Sequence, residues 1–323
     1  MIDTIELIRL HDSGLTWSQV GQRFGMTKDA CKGRVKRWRH ANSARPIKVS
    51  NGGEYRKIPT NGLPDDTEQW ESALNKLPPI IRFGVMNDLH VPDHNLKAVE
   101  LALKIISDFK PHILQASGSD ALSFENISTH WEVDPEKMVD DVFEVIENPY
   151  RKIMTDIHSA APDAIYPNLV GNHEKRLITF LNQKAPQLKR TVLKTFIELI
   201  RSTGALWLGF NISGYKLHHL RVIHGYSTAK FAASVHLDRF DMDIVSGDVH
   251  RAMYFARTVE ERIIQSVTTG CLCNLTPSYA YWQSNWQHGI CLITIDTVTN
   301  TRLFENIVFC NNTASYGGRL YRV

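Results

Sequence analysis

Polar side chains able to bind a metal follow five predicted strands of this 323-residue chain, each where its strand ends. In chain order they are Asp88 and His90, Asp120, Asn172-His173-Glu174, His224, and Asp248 and His250. Strands of an open α/β sheet gather ligand groups at their carboxyl ends, so we expect these side chains to lie close together. Carboxylate, imidazole and amide groups without a thiolate suit Mn²⁺, Fe or Zn²⁺ rather than a structural zinc.

The two Asp-x-His pairs (88/90 and 248/250) would place both ligands on one side of an extended segment, because strand side chains alternate with period two. Glycines beside the ligands would let the backbone approach a crowded site; they are Gly118, Gly171, Gly225 and Gly247. One Asp-x-His pair is common by chance. It is the joint order of these groups after successive strands that indicates a metal site.

The elements that must position these residues begin at Ile80. Strands are predicted over 80–86, 112–117, 164–170, 205–210, 215–224 and 243–246, and further strands after His250. Helices are predicted over 95–109, 135–160, 174–202 and 228–240. Strand and helix alternation followed by strands predicts an α/β fold with mixed sheets.

The order of the strand-end groups resembles the calcineurin-like metallophosphoesterases, whose motifs are D-x-H, G-D, G-N-H-[DE], H and G-H-x-H. The matching segments here are "NDLH", "GSD", "GNHE", "VIHG" and "SGDVH", and the resemblance covers about residues 80–310. "GNHEKRL" and "NWQHG" are similar to a subgroup common in phage genomes, which implies a bacterial host cytoplasm. The resemblance also implies a βαβαβ sandwich of two mixed sheets flanked by helices, and hydrolysis of phosphate esters.

A two-metal site follows from the resemblance, with Mn²⁺ preferred and Mg²⁺, Fe, Ni²⁺ or Zn²⁺ as alternatives. The implied ligands form two sets bridged by Asp120: Asp88, His90 and His250 for one ion, and Asn172, His224 and Asp248 for the other.

His173 would lie beside the implied metals and protonate the leaving oxygen or hold the phosphate, so we expect it and Asp120 to be catalytic. Glu174 would open the next helix, where a carboxylate favours the helix dipole. Arg176 would either reach a substrate phosphate or form a surface ion pair.

The chain departs from the family pattern at three positions. Asp248 stands where the last motif has histidine, and three carboxylates around two ions would favour Mn²⁺ or Mg²⁺ at the second position. The alternative is a weak or absent second ion. Ser119 replaces a usual glycine, and Ser123 stands where this group often has another carboxylate.

Charge is spread unevenly along the chain. Residues 1–57 hold 12 Lys or Arg and 5 Asp or Glu, whereas the remainder holds 25 basic and 29 acidic residues. The five cysteines are an odd number and no secretion signal opens the chain, which indicates a reducing compartment. No apolar run approaches the ~20 residues of a membrane span.

Residues 3–40 read as three short helices and resemble a helix-turn-helix of the homeodomain-like or resolvase-tail type. The basic third helix would enter the DNA major groove, with candidate contacts from Lys28, Lys32, Arg34, Lys36, Arg37 and Arg39. The alternatives are a helical bundle with a solvated basic face and a protein-docking domain.

The predicted organisation is a DNA-binding module over 1–43, a linker over 44–79 with one short helix around Trp70, and a phosphoesterase domain over 80–323. We expect a nuclease, phosphodiesterase or end-phosphatase acting on DNA. A phosphatase or cyclic-nucleotide phosphodiesterase with a localising N-terminal domain is the first alternative, and a non-catalytic DNA-binding regulator is the second. Aromatic residues within 123–140 and 271–288 could stack on bases, although core packing is the commoner role of each.

Overall fold

The computed structural model describes residues 7, 10–11, 15–42, 63–124, 127, 142–209, 214–276 and 285–323. The chain divides into two units, Met1–Gly53 and Glu54–Val323. Among the described residues, none of the helices is both long and apolar enough to cross a bilayer.

Two helices are described in the first unit: α1 (Trp17–Arg23) and α2 (Lys28–Asn42). A capping box between Thr16 and Gln19 starts α1, and the Thr27 hydroxyl accepts the Ala30 amide at the start of α2. Their buried side chains include Val20, Cys31 and Val35, at the helical spacing expected from the sequence. The first predicted helix lies largely outside the described residues, so the three-helix module stays a prediction.

The second unit includes the end of the predicted linker. Helix α3 (Thr67–Leu74) lies there, and the Asp66 carboxylate accepts hydrogen bonds from Arg201 and from the Trp207 amide. Trp70 is buried and meets the Tyr215 ring edge-on. Residues 63–79 are therefore packed on this unit rather than free, while 43–62 lie outside the described residues.

Strands and helices of the second unit follow the predicted alternation, except that the predicted strand over 215–224 is a hairpin of two antiparallel strands. The further helices are α4 (Leu96–Phe109), α5 (Val142–Ala160), α6 (Asn172–Lys184), α7 (Lys189–Ser202) and α8 (Ala232–Phe240). The first eight strands are β1 (Ile80–Val85), β2 (Ile113–Gln115), β3 (Ser117–Gly118), β4 (Pro167–Leu169), β5 (Leu206–Trp207), β6 (Tyr215–Leu217), β7 (Leu220–Ile223) and β8 (Asp243–Ser246). They are followed by β9 (Met253–Val259), β10 (Arg262–Thr268), β11 (Gly289–Asp296), β12 (Thr301–Val308), β13 (Thr313–Tyr316) and β14 (Arg319–Arg322). The β13–β14 hairpin was not predicted from the sequence.

Two mixed sheets form the centre of the unit, with strand orders β12-β11-β1-β2 and β6-β7-β8-β10-β9. In the first, β1 pairs with β2 in parallel and with β11 antiparallel. The strands β3, β4 and β5 form a parallel sheet beside them. The predicted α/β class with mixed sheets is confirmed.

Alternating side chains explain why the two large sheets stack. Phe83 of β1 and Ile293 of β11 join Val245 of β8 in one buried cluster between the sheets. The opposite face of β11, with Leu292, packs into a second cluster with side chains of α4, α5 and α7. The period-two alternation of a strand thus buries both faces of this sheet.

A buried ion pair joins the two large sheets. Arg302 of β12 donates to the carboxylate of Asp243 in β8, and both side chains are almost inaccessible. The other Asp243 oxygen accepts the Gln265 amide. Loss of the arginine would leave a buried carboxylate without its cation.

We expect Arg302→Met to lower the free energy of unfolding by about 3–5 kcal/mol, because it leaves Asp243 charged and unpaired. Urea denaturation measures this loss. Arg319→Met breaks the exposed pair with Asp108 and is the matched control, with an expected loss below about 1 kcal/mol. Equal losses in the two variants would show that the buried Arg302–Asp243 pair stabilises the fold no more than the exposed Arg319–Asp108 pair.

Candidate metal centre

The predicted strand-end groups converge on one edge of the second unit. Asp120 follows β3, His224 follows β7, and Asp248 follows β8. Backbone hydrogen bonds join the loops, since the Asp88 amide donates to Ser119 O at 3.0 Å and the His90 amide donates to Asp120 O at 2.8 Å. Six side chains of the site are buried: Asp88, His90, Asp120, His173, His224 and His250.

The two Asp-x-His segments are not extended, so the predicted reason for their shared direction is wrong. Asp88 and His90 have φ of 55° and 51°, and Asp248 and His250 have φ of 69° and 55°. Left-handed residues before and after a buried Leu89 or Val249 turn both ligands to the site. Such conformations cost free energy in residues other than glycine and cluster at functional sites.

Glycines allow the loops to approach one another as predicted. A Cβ on Gly171 would overlap the carboxylate of Asp120, and a Cβ on Gly247 would overlap that of Asp88. Because these two positions lack a side chain, the carboxylates of Asp120 and Asp88 can lie against the backbone there.

The first implied ligand set is compact. His250 Nε2 lies 3.5 Å from Asp88 Oδ1 and 3.2 Å from His90 Nε2. His90 Nδ1 is buried and makes no hydrogen bond to any described residue. Two imidazole nitrogens facing each other beside a carboxylate suit a shared cation.

In the second implied set, His224 Nε2 lies 3.1 Å from Asp120 Oδ2 and 3.4 Å from Asp248 Oδ1. The nitrogen is buried, yet its geometry to these oxygens is not that of a hydrogen bond. The side-chain amide nitrogen of the exposed Asn172 donates a hydrogen bond to Asp248 Oδ1 at 2.8 Å. A half-turn of that amide would offer its oxygen instead.

Asp120 belongs to two groups of side chains that could hold a divalent ion. One contains His90 and His173, and the other contains Asp88 and His224; within each group the ligand atoms lie within 4.8 Å of one another. The donors of the two implied sets are carboxylates, imidazoles and one amide, which fit divalent metal ions. Cys273 forms a further possible group with His90 and His250. A shared Asp120 is the arrangement that a bridging carboxylate requires.

The ring of His173 is held by a hydrogen bond at Nδ1, and its Nε2 faces Asp120 at a longer distance. Nδ1 lies 2.5 Å from the Ser123 carbonyl oxygen, to which it donates, and Nε2 lies 3.8 Å from Asp120 Oδ2. Ser123, the position where the resembled group often has a carboxylate, therefore meets His173 through its backbone carbonyl. Arg176 Nη1 lies 3.2 Å from His173 Nδ1, so the structure places Arg176 beside this histidine.

Glu174 has a larger role than the expected dipole contact. Its carboxylate accepts the amides of Asp120 at 3.1 Å, Leu122 at 3.2 Å and Gly171 at 2.8 Å. Burial and the charge of Asp120 raise the pKa of Glu174 to about 8. Its side chain joins the loop after β3 to the start of α6. This role was not predicted from the sequence, although glutamate at the third helical position is a capping signal.

The carboxylates and imidazoles of the site shift each other's ionisation. Burial raises the pKa of Asp120, but His224 and His173 outweigh it and leave this pKa well below its usual range. Burial lowers the pKa of His250, but Asp88 outweighs it and raises this pKa to about 10. Because a metal binds neutral imidazole, metal affinity should increase with pH.

Two residues outside the predicted ligand set contact the outer nitrogens of the histidines. Ser119 Oγ lies 3.0 Å from His224 Nδ1, and Cys273 Sγ lies 3.8 Å from His250 Nδ1. Cys273 therefore lies behind His250, on the side away from its Nε2. One indication of the Ser119–His224 contact was present in the sequence, because serine stands where the family pattern has glycine.

Other predicted contact residues are less completely described. Lys28 and Lys32 are exposed on α2 and Arg34 is half-buried, whereas the side chains of Lys36, Arg37 and Arg39 lie outside the described residues. Phe124 is buried against Phe196, so it is a core residue and not a stacking surface. The Trp286 ring lies 4.1 Å from the His250 ring. The remaining aromatic candidates, His130, Trp131, Tyr279, Tyr281 and Trp282, lie outside the described residues.

We expect Glu174→Met to lower the free energy of unfolding by at least about 3 kcal/mol, since three buried amides lose their acceptor at roughly 1–3 kcal/mol each. Urea denaturation of the metal-free protein measures the effect. Glu198→Met on the exposed side of α7 is the matched control. A loss no greater than that of the control would contradict this role of Glu174.

Comparison with models of known protein families found no match, and comparison with curated proteins found no significant match.

Proposed function

We propose that the protein is a metal-dependent phosphoesterase that acts on DNA through a two-metal site. The convergence of all seven implied ligands on one edge of the second unit, with Asp120 ligand atoms within 4.8 Å of ligand atoms from both sets, is the observation that carries the proposal. The fold in this proposal is the metallophosphoesterase sandwich that the motifs resemble, which agrees with the two stacked mixed sheets.

Asp88, His90 and His250 would hold one ion, Asn172, His224 and Asp248 would hold the other, and Asp120 would bridge them. When bound, two such ions would supply an activated water and neutralise charge on the phosphoryl oxygens. The Asp248 carboxylate faces the site as a ligand should. With Asp120, it makes the second position rich in oxygen donors, which favours Mn²⁺ or Mg²⁺ there.

His173 is the proposed proton donor. Its Nδ1–H is held by the Ser123 carbonyl, which leaves Nε2 directed to the space beside Asp120. A proton on Nε2 can be transferred to the leaving oxygen of the ester. Arg176, next to this ring, is placed to contact a phosphate oxygen as well.

DNA is the proposed substrate because the basic residues are concentrated in the first 57 positions, with 12 basic against 5 acidic residues. Lys28 and Lys32 expose their side chains on α2, as phosphate contacts require. The N-terminal unit would hold DNA, and the second unit would hydrolyse a phosphodiester or a terminal phosphate.

Hydrolysis of bis-p-nitrophenyl phosphate and of a DNA oligonucleotide should require Mn²⁺. His173→Gln should reduce the rate at least about 100-fold, since it removes the proton donor. His219→Gln in the exposed turn between β6 and β7 is the matched control and should leave the rate unchanged.

Hydrolysis of p-nitrophenyl phosphate alone would favour the phosphatase. Hydrolysis of cyclic nucleotides but not of DNA would favour the cyclic-nucleotide phosphodiesterase. No hydrolysis of any ester with any divalent metal would contradict the proposal and leave a DNA-binding regulator.

The double change Lys28→Gln, Lys32→Gln should weaken DNA binding and reduce its salt dependence, by about 0.9 in logarithmic slope for each lost phosphate contact. Fluorescence anisotropy with a labelled duplex at several salt concentrations measures both. The matched control is the double change Lys152→Gln, Lys194→Gln, which removes the same charge from exposed positions on helices of the second unit. Equal weakening in both double variants would contradict specific binding by α2.

A further inference from the structure

A serine lies behind one proposed metal ligand, where the family pattern has glycine. Ser119 Oγ is 3.0 Å from His224 Nδ1, and both side chains are buried. The opposite ring nitrogen, Nε2, faces the carboxylates of Asp120 and Asp248. The imidazole of His224 therefore lies between a hydroxyl and the proposed metal position.

The chemistry of imidazole makes this contact directional. A neutral histidine that binds a cation through Nε2 carries its proton on Nδ1, and that proton needs an acceptor. Ser119 Oγ is such an acceptor. For comparison, His250 Nδ1 faces the weaker acceptor Cys273 Sγ, and His90 Nδ1 has no hydrogen-bond partner among the described residues.

The backbone conformation at this position is less favourable for serine than for glycine. Ser119 has φ of 52°, between Gly118 at 73° and Asp120 at 57°. Glycine adopts such a conformation at little cost, whereas serine does not. The Ser119 carbonyl accepts the Asp88 amide, but glycine would keep that bond. The hydroxyl is what serine adds.

We propose that Ser119 is a positioning residue for the metal site: its hydroxyl accepts the Nδ1–H of His224 and directs the Nε2 lone pair to the ion held with Asp120 and Asp248. The inference rests on the proposed metal site, and it does not require that the substrate be DNA.

Calorimetric titration of the metal-free full-length protein with Mn²⁺ tests the proposal. The wild-type protein should bind two ions. Ser119→Gly should weaken one of them about 10- to 100-fold and leave the other unchanged, as loss of an outer partner of a metal-bound histidine does. Ser119→Ala should behave in the same way.

Thermal unfolding and a matched variant separate positioning from damage. Ser119→Gly relieves the left-handed backbone, so its Tm should not decrease. Ser266→Ala removes another buried hydroxyl, one without a hydrogen-bond partner among the described residues, and should leave both ions unaffected. In the Zn²⁺-loaded protein, the His224 Nδ1–H should give an exchange-protected NMR signal that Ser119→Gly loses.

Unchanged binding of both ions in Ser119→Gly, or equal weakening of both, would overturn the proposal. Selective weakening in a protein that hydrolyses no phosphoester would support it and contradict the proposed function. A wild-type protein that binds no ion would overturn both.

Discussion

Buried negative charge is the constraint on which the rest of this structure depends. Asp88 and Asp120 are essentially inaccessible to water, and Asp248 lies within 3.4 Å of the same His224 ring that Asp120 meets. Carboxylates in such surroundings remain ionised only if cations or hydrogen-bond donors face them. The imidazoles brought in by neighbouring strand ends meet this need in the metal-free protein, and divalent ions would meet it more fully.

The fold satisfies this constraint by ordinary means. Stacked sheets align the carboxyl ends of several strands, and short loops after them carry the ligands. Inside these loops the backbone is unusual, with left-handed residues at Asp88, Asp120 and Asp248. Glu174 binds the amides of two neighbouring loops and thereby holds this conformation. The cost of the backbone is offset by packing and hydrogen bonds outside the ligand set.

Much of this arrangement could be predicted from the sequence because periodicity and order along the chain are local signals. The strand ending before Asp88 and the helix Leu96–Phe109 have strong apolar patterns, and both appear as predicted. The positions of the polar groups after successive strands were enough to predict that they meet.

The predictions were wrong where contacts between distant parts of the chain determine the local conformation. An extended Asp-x-His segment was the simplest interpretation of the spacing, but the loops use left-handed residues at Asp88 and His90 instead. The Pro- and Gly-rich segment before Ile80 was predicted to be a linker with one short helix around Trp70. The helix is present, but the Asp66–Arg201 pair fastens this end of the segment to the second unit. Neither the Ser119 contact with His224 nor the burial of Phe124 follows from spacing, since each depends on residues far away in the sequence.

Anomalous diffraction from crystals soaked in Mn²⁺ tests the central claim most directly, because it locates ions without reference to any substrate. We expect two manganese peaks about 3.5–4 Å apart, with the Asp120 carboxylate in contact with both. A single peak, or two peaks that do not share Asp120, would contradict the claim.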